Sequence, residues 1–498
     1  MRIQIKFMHF LSLIVIIIGT SACGNDELFG EKNTNKEAFS SLSPNLLFTT
    51  VQASLSGNRL EQWGGNLVYG EGMVQHLGGS KEVTEYGAIY NFDVACGEAL
   101  WQSNYGDGVM RHLVDILERT KNDDAFKNLN AAAKILKVMV FQRLTDFYGA
   151  IPYSEAGLGY YRKIYYPKYD GQKEIYYNFF ALLEEAYYQF DESSQGDEIT
   201  GDNFYNGDIS KWKKLANSLI LRCAMRISMV DKAKAIKEIQ IALTNGLFEN
   251  IDDSCLGHHE NVEFGTPGAS LNGNGLSQAL KGNGGVLNHP TQTLIKYLEG
   301  DPRKDIWFMP GNLGNIEGIN PNNFRWEHPG GAEKLAVLQP YLYRNDAPYM
   351  HISYAETQLL LAEAVVKRFI PGNAEVYYQE GIKASILQWS AYGARVSIQE
   401  AESFSEEKTL AADNGLGEII TQQWLNHFLN GMEAYANYRR TRLPVLEPII
   451  RSSSATNGVM PSRLRYPESE AVVNGDNYEI AAKEYTEGWL SHIWWDIN

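Results

Sequence analysis

The chain has 498 residues, 44% of them hydrophobic and 21% charged, a balance that excludes disordered, fibrous and collagen-like classes. Lys and Arg number 44 against 60 Asp and Glu, a formal net charge of −16, so the whole-molecule field repels phosphate backbones and general nucleic-acid binding is disfavoured. Tyr (29) outnumbers Phe (20), which supplies more amphipathic rings than a dry core uses.

In chain order, Arg2 and Lys6 precede an apolar run from Phe7 to Ile18, and Gly19-Thr20-Ser21-Ala22 is small up to Cys23, so residues 1–22 read as an export signal. The run falls short of the roughly 20 apolar residues that span a bilayer, and no later stretch reaches that length. Cys23 directly after Thr20-Ser21-Ala22 resembles the lipobox of bacterial lipoproteins, in which the thiol is acylated and becomes the new N-terminus. The alternative is a plain secretory signal beside a chance cysteine. Several acyl chains hold far more firmly than one, because each buried CH₂ adds about 0.8 kcal/mol. Gly24-Asn25-Asp26-Glu27 resembles the surface-export signal of Bacteroidetes lipoproteins, and 23–38 reads as a lipid-anchored flexible stalk ahead of one domain over 39–498. With Cys23 lipidated, Cys96, Cys223 and Cys255 remain; they allow at most one disulfide, and Cys223, inside an apolar helical run, reads as a buried small hydrophobe.

Helical periodicity dominates the rest of the chain. Leu136, Val140, Leu144 and Tyr148 recur at spacing four, with Ala132, Ile135, Met139 and Arg143 beside them, and predict a long helix over 131–148. Similar runs predict helices over 177–190, 211–230, 232–243, 352–368, 373–389 and 419–438. Several are paired across a short break, as where Pro371-Gly372 separates 359–364 from 374–382. Small Ala and Gly at the crossings let the partners approach, a layout that resembles tetratricopeptide units, although any amphipathic helix pair scores similarly.

Between about 248 and 350 the texture changes to Gly, Asn, Ser and Pro, and no regular helix is expected. Loops of that length on a helical scaffold are where binding is sought. Gly273-Asn274-Gly275 lacks the third glycine of a dinucleotide fingerprint; neither a P-loop, a G-x-S-x-G elbow nor H-E-x-x-H occurs. Asp202, Asn206 and Asp208 miss the EF-hand spacing, and Asp208 is more simply the N-cap of the next helix. No cofactor is implied; a structural calcium ion stays an open alternative.

One phrase narrows the choice. Asp146-Phe147-Tyr148-Gly149-Ala150-Ile151-Pro152-Tyr153-Ser154-Glu155-Ala156 resembles the D-x-Y-G-x-I-P-Y-S-E-A phrase of SusD/RagB-type outer-membrane lipoproteins, in their SusD-like branch. Four further phrases fit in order: 167–172; 207–219 with Leu221-Arg222; Ala347-Pro348-Tyr349-Met350 to Glu356 with Leu361-Ala362-Glu363-Ala364; and Tyr438-Arg439-Arg440-Thr441-Arg442-Leu443-Pro444. The likeness extends to Trp494-Trp495. Each phrase also has a structural reading. Gly149 fits the C′ position of a helix and Pro152 blocks its continuation. Arg222, Arg226, Arg439 and Arg440 are placed to pair with acids such as Glu356 and Glu363.

The resemblance implies a mainly α fold, with a tetratricopeptide-like helical-repeat scaffold, a loop-rich excursion and few short strands. It also implies a non-enzymatic lid over a TonB-dependent outer-membrane β-barrel transporter (SusC-like), taking glycans or, in some relatives, peptides. The repeat half of such proteins usually faces the barrel. A sugar site needs rings for pyranose C–H faces and amides or Arg for the hydroxyl rim. Two patches offer these: Tyr69, Gln75, His76, Tyr86 and Tyr90 in the loop expected over 65–90, and Asn322, Asn323, Phe324, Arg325 and Trp326 within 311–331. Of these, Tyr69, Gln75, Tyr86, Tyr90, Asn323, Arg325 and Trp326 are the candidate ligand residues, each of whose rings has packing as its alternative. Two other classes stay open: a surface glycoside hydrolase, which needs two carboxylates about 5–10 Å apart, and a tetratricopeptide-type assembly scaffold without small-molecule cargo.

Overall fold

The apolar series at spacing four does form the long helix it predicts, α3 (Lys127–Tyr148), whose Leu136, Val140, Leu144 and Tyr148 are all buried. It is preceded by α1 (Pro44–Leu55) and α2 (Val109–Thr120) and followed by α4 (Gln172–Gln189), α5 (Ile209–Ile227), α6 (Lys232–Asn245), α7 (Tyr354–Val366), α8 (Ala374–Leu387), α9 (Gly415–Asn426) and α10 (Gly431–Thr441). These come from a computed structural model that describes residues 42–106, 108–193, 196–282, 288–312, 318–319 and 334–497. The export signal, Cys23, the stalk and Asn323, Arg325 and Trp326 lie outside the described residues.

Helix pairs α3–α4, α5–α6 and α7–α8 pack on one another, and α5 and α7 also contact, which builds the repeat scaffold from consecutive hairpins. Close approach has a covalent reason: a Cβ on Gly381 of α8 would sit 2.7 Å from Leu359 Cγ of α7. The expected helix over 419–438 is two helices, α9 and α10, broken at His427–Asn430. Asn66 Oδ1 accepts the Gly431 N–H at 2.6 Å, and Gly70 and Gly431 cross with no room for a Cβ on either, so α10 is set by a distant partner.

Polar groups at helix ends do what their types predict. Asp208 accepts the Lys211 N–H at 3.1 Å and caps α5. Gly149, at φ +79°, ends α3, and its N–H donates to Thr145 O at 2.8 Å. The corner after it pairs β2 (Ile151–Pro152) with β3 (Tyr169–Asp170), and the Asp170 carboxylate accepts the Ser154 N–H at 2.7 Å.

The stretch over 65–90 is not the loop expected. Residues Gln62–Gly72 form a wide helical segment of i→i+5 turns, and Val83–Ala88 a second. Four glycines in the first, at 64, 65, 70 and 72, conceal it from periodicity arguments. Over 248–350 there are short helices, among them Gly275–Lys281, Gln292–Tyr297 and Arg303–Trp307, and strands of two to four residues. Cys96, Cys223 and Cys255 are free and buried. No helix of the described residues is long and apolar enough to cross a membrane.

Candidate functional site

The two stretches that composition sets apart, 65–90 and 311–331, meet on one seam. Strand β1 (Leu77–Gly78) runs antiparallel to β5 (His289–Pro290), with Leu77 opposite Pro290 and Gly78 opposite His289. Ile319 joins them: its N–H donates to Pro290 O at 2.8 Å, and its carbonyl accepts the Gln292 N–H at 2.9 Å. A Cβ on Gly78 would come within 3.1 Å of Ile319 Cγ2, so the small residue lets the two stretches touch.

Gln75 ties the seam together. Its amide donates to Glu447 O at 2.7 Å, its side-chain oxygen accepts from Thr293 Oγ1 at 2.8 Å, and its backbone carbonyl accepts from Thr291 Oγ1. Further along, His289 Nδ1 donates to Ala336 O at 2.8 Å, and β6 (Phe308–Met309) pairs with β7 (Val337–Leu338). The chain before residue 320 and the chain after 333 are therefore both fastened to β5.

Tyr69 is buried, stacked on Phe92 with centroids 6.3 Å apart, and its hydroxyl accepts the Asp93 N–H at 2.7 Å. Burial pushes its pKa far above the usual phenol range, against the pull of the Asp93 N–H that it accepts from. Tyr90 and Gln75 are likewise buried, both at left-handed φ. None of these three presents its side chain to solvent, and Gln75 is the one whose bonds hold the seam. Tyr86, on the Val83–Ala88 turn, is half-buried and packs its ring against the core from the outside. His76 lies inside, 3.0 Å from Glu71, whose carboxyl is pushed up by burial against the pull of that histidine.

An open groove of about 470 Å³ has one wall from 302–306 and 339–341 and another from 386–400, and it is lined by Asp305, Ile306, Tyr341, Arg395, Val396 and Glu400 among others. Gln339 Nε2 donates to Asp305 O at 3.0 Å and to Phe308 O at 3.3 Å, which fixes that wall. Tyr341 donates to Ile306 O, and burial pushes its pKa up to about 12. One wall falls within the loop-rich region 248–350; the other runs from the last turn of α8 into the chain after it and carries no motif that could have marked it.

The buried charges belong to the scaffold. Arg222 forks onto both oxygens of Glu356 at 2.6 Å, and Arg440 spans Glu363 at 2.5 and 2.8 Å, the pairing with acids expected of arginines on these helices. Asp146 of the D-x-Y-G phrase accepts from Tyr176 at 2.5 Å and from the Trp495 indole at 2.9 Å, with Arg226 3.6 Å away. Glu356, His427 and Glu433 bring three potential ligand atoms within 4.8 Å of one another, yet Arg222 and Arg226 already answer these carboxylates. The Asp202 carboxylate, a calcium candidate by residue type, accepts from Gln52 at 2.6 Å, the Trp212 indole at 2.8 Å and the Gly207 N–H at 2.9 Å.

Repeat helices carrying an irregular loop-rich face define a class of mainly helical proteins with few short strands. The chain belongs to the SusD-like family, whose model, described as "starch-binding associating with outer membrane", matches residues 36–467. A solved chitin-binding protein is 42% identical over 92% of this chain and 100% of its own, with a TM-score of 0.84. A Bacteroidetes AC2a SusD-like structure is 28% identical over 92% of this chain and 100% of its own, at TM-score 0.82. A chitin-binding SusD homologue from Flavobacterium johnsoniae, 21% identical over 91% of this chain and 99% of its own, shares the fold at TM-score 0.76. No curated protein matches the chain.

Proposed function

We propose that the protein is a non-catalytic nutrient-binding lipoprotein, held through Cys23 to the outer membrane and facing the cell exterior. It captures oligosaccharide and hands it to a TonB-dependent β-barrel transporter. The observation that carries this reading is the family match over 36–467 with its starch-binding description. The 42% identity to a chitin-binding protein over nearly the whole fold favours chitin oligosaccharides as cargo over starch fragments or peptides.

The ligand face is the seam. Tyr86 follows β1 on the Val83–Ala88 turn, and the chain that leaves Ile319 carries Asn323, Arg325 and Trp326. Rings take the C–H faces of the sugar, while amide and guanidinium groups take its hydroxyl and acetamido oxygens. Gln75 supports that face through its bonds to Thr291, Thr293 and Glu447.

An array of chitin, malto-oligosaccharide and peptide ligands, read with protein lacking residues 1–23, tests the proposal. Retention of chitin oligosaccharides without release of new reducing ends is the expected result. Hydrolysis of any of them would replace the binder by a glycoside hydrolase, and silence toward all ligands would favour an assembly scaffold.

A further inference from the structure

The open groove between 302–306 with 339–341 and 386–400 shares no residue with the seam, and its two walls are clamped to each other. Arg303, fully buried on the first wall, donates to Ser385 Oγ of α8 at 3.0 Å and to Gln422 Oε1 of α9 at 2.6 Å. Arg344, three residues beyond Tyr341, donates to Tyr392 O on the second wall at 2.6 Å. Such clamps hold the groove open on its own, so binding has little left to order.

The lining has two layers. Ile306, Tyr341, Ile386 and Val396 are buried or half-buried and form the apolar one. Tyr341 spends its hydroxyl on Ile306 O, so the ring has only its face to offer. Asp305, Arg395 and Glu400 are exposed, and among the described residues no hydrogen bond or ion pair engages their side chains. A guanidinium only donates and a carboxylate only accepts, so the three together answer a ligand that carries both acceptors and hydroxyl donors. Two acids against one arginine disfavour an anionic ligand. The ring face suits the C–H face of a pyranose, and the aliphatic side chains suit a methyl group. A neutral N-acetylated amino sugar offers all of these at once, whereas a malto-oligosaccharide lacks the methyl.

The groove is also within reach of the seam. Ala336 O accepts from His289 of β5, and Tyr341 follows five residues later, so at about 3.3–3.6 Å per residue their Cα atoms are at most roughly 18 Å apart. Chitohexaose is longer than that path and chitobiose is shorter.

We propose that this groove is a second subsite for chains of N-acetylated amino sugars, occupied together with the seam by chains long enough to span both. The inference rests on the proposed capture of chitin oligosaccharides and adds the place that sets a preference for length. Joint occupancy makes the second contact intramolecular, which can raise affinity by about 10²–10⁴ over a single site.

The test is calorimetric titration of the full-length protein in detergent with chitobiose and with chitohexaose, in wild type and in R395A with E400A, both at exposed positions. Hydrogen exchange over 302–306, 339–341 and 393–400 is read in parallel. Wild type should bind chitohexaose at least tenfold more tightly than chitobiose, and chitohexaose should slow exchange along the groove. In the variant that advantage of length should vanish while thermal unfolding stays as in wild type. Undiminished chitohexaose affinity in the variant, or groove exchange that chitohexaose leaves untouched, would overturn the subsite and keep the seam as the ligand face. Equal slowing by maltohexaose would overturn the sugar class assigned to the groove. A wild-type protein that binds neither chitin oligosaccharide would overturn the capture reading itself.

Discussion

The repeat scaffold and the seam are held in opposite ways. In the scaffold, long helices are locked by buried forks, Arg222 on Glu356 and Arg440 on Glu363, which fix register because a shifted helix would strand a charge. At the seam, two-residue strands and the bonds of Gln75 do the holding, and nearly all of these bonds end on backbone carbonyls or amides. Backbone-directed bonds are indifferent to most neighbouring side chains. The proposed ligand face can therefore change its residues while the scaffold stays fixed, as a fold that serves several cargoes requires.

The largest expected effect lies in the scaffold. Glu356→Ala leaves Arg222 buried without its fork and should lower the unfolding free energy by about 3–5 kcal/mol in denaturant titrations. Arg222→Met combined with Glu356→Leu removes both charges and should cost far less. Equal losses in the two variants would break the contrast between scaffold and seam.

Acid should reach the same pairs. Burial raises the carboxyl of Glu356, but Arg222 outweighs it and holds the pKa near 2, and Arg440 with Lys367 likewise depresses Glu363. A folded-state pKa below the ordinary 4.5 means stability present above pH 4.5 and lost as pH falls toward 2. Asp146 and Glu71, pushed upward by burial, act in the opposite sense and offset part of this loss. Glu363→Gln should therefore be less stable at pH 7 and show a shallower acid limb, with the gap to wild type narrowing as pH falls below 4.5.

A smaller and more local effect is expected at the seam. Gln75→Ala should cost about 1–3 kcal/mol and raise amide hydrogen exchange in 289–294 and 445–448 while α5 and α7 keep their protection. The smallest effect on stability is expected at the ligand face. Tyr86→Ala with Trp326→Ala should shift unfolding by no more than about 1 kcal/mol and weaken glycan binding at least tenfold.

The sequence showed the scaffold clearly and the seam poorly, for a physical reason. Helices α3 to α8 lie within a few residues of their expected bounds because a buried face repeats every turn. The phrase Asp146 to Ala156 marked the corner after α3, where Gly149 and Pro152 end the helix. Gln62–Gly72 was hidden because its glycines serve close contacts with Cys96 and Gly431 that are far away in the chain. Tyr69, Gln75 and Tyr90 looked like ligand groups because residue type carries no information on burial. The break between α9 and α10 was equally invisible, since His427-Phe428-Leu429 continues the apolar pattern across it.

Calorimetric titration of chitin oligosaccharides into the protein lacking residues 1–23, beside its Tyr86→Ala, Trp326→Ala variant, tests the central claim most directly. Saturable binding with no hydrolysis in the wild type and at least tenfold weaker binding in the variant is the predicted result. Equal affinity in both proteins would contradict the seam as the place where cargo is held.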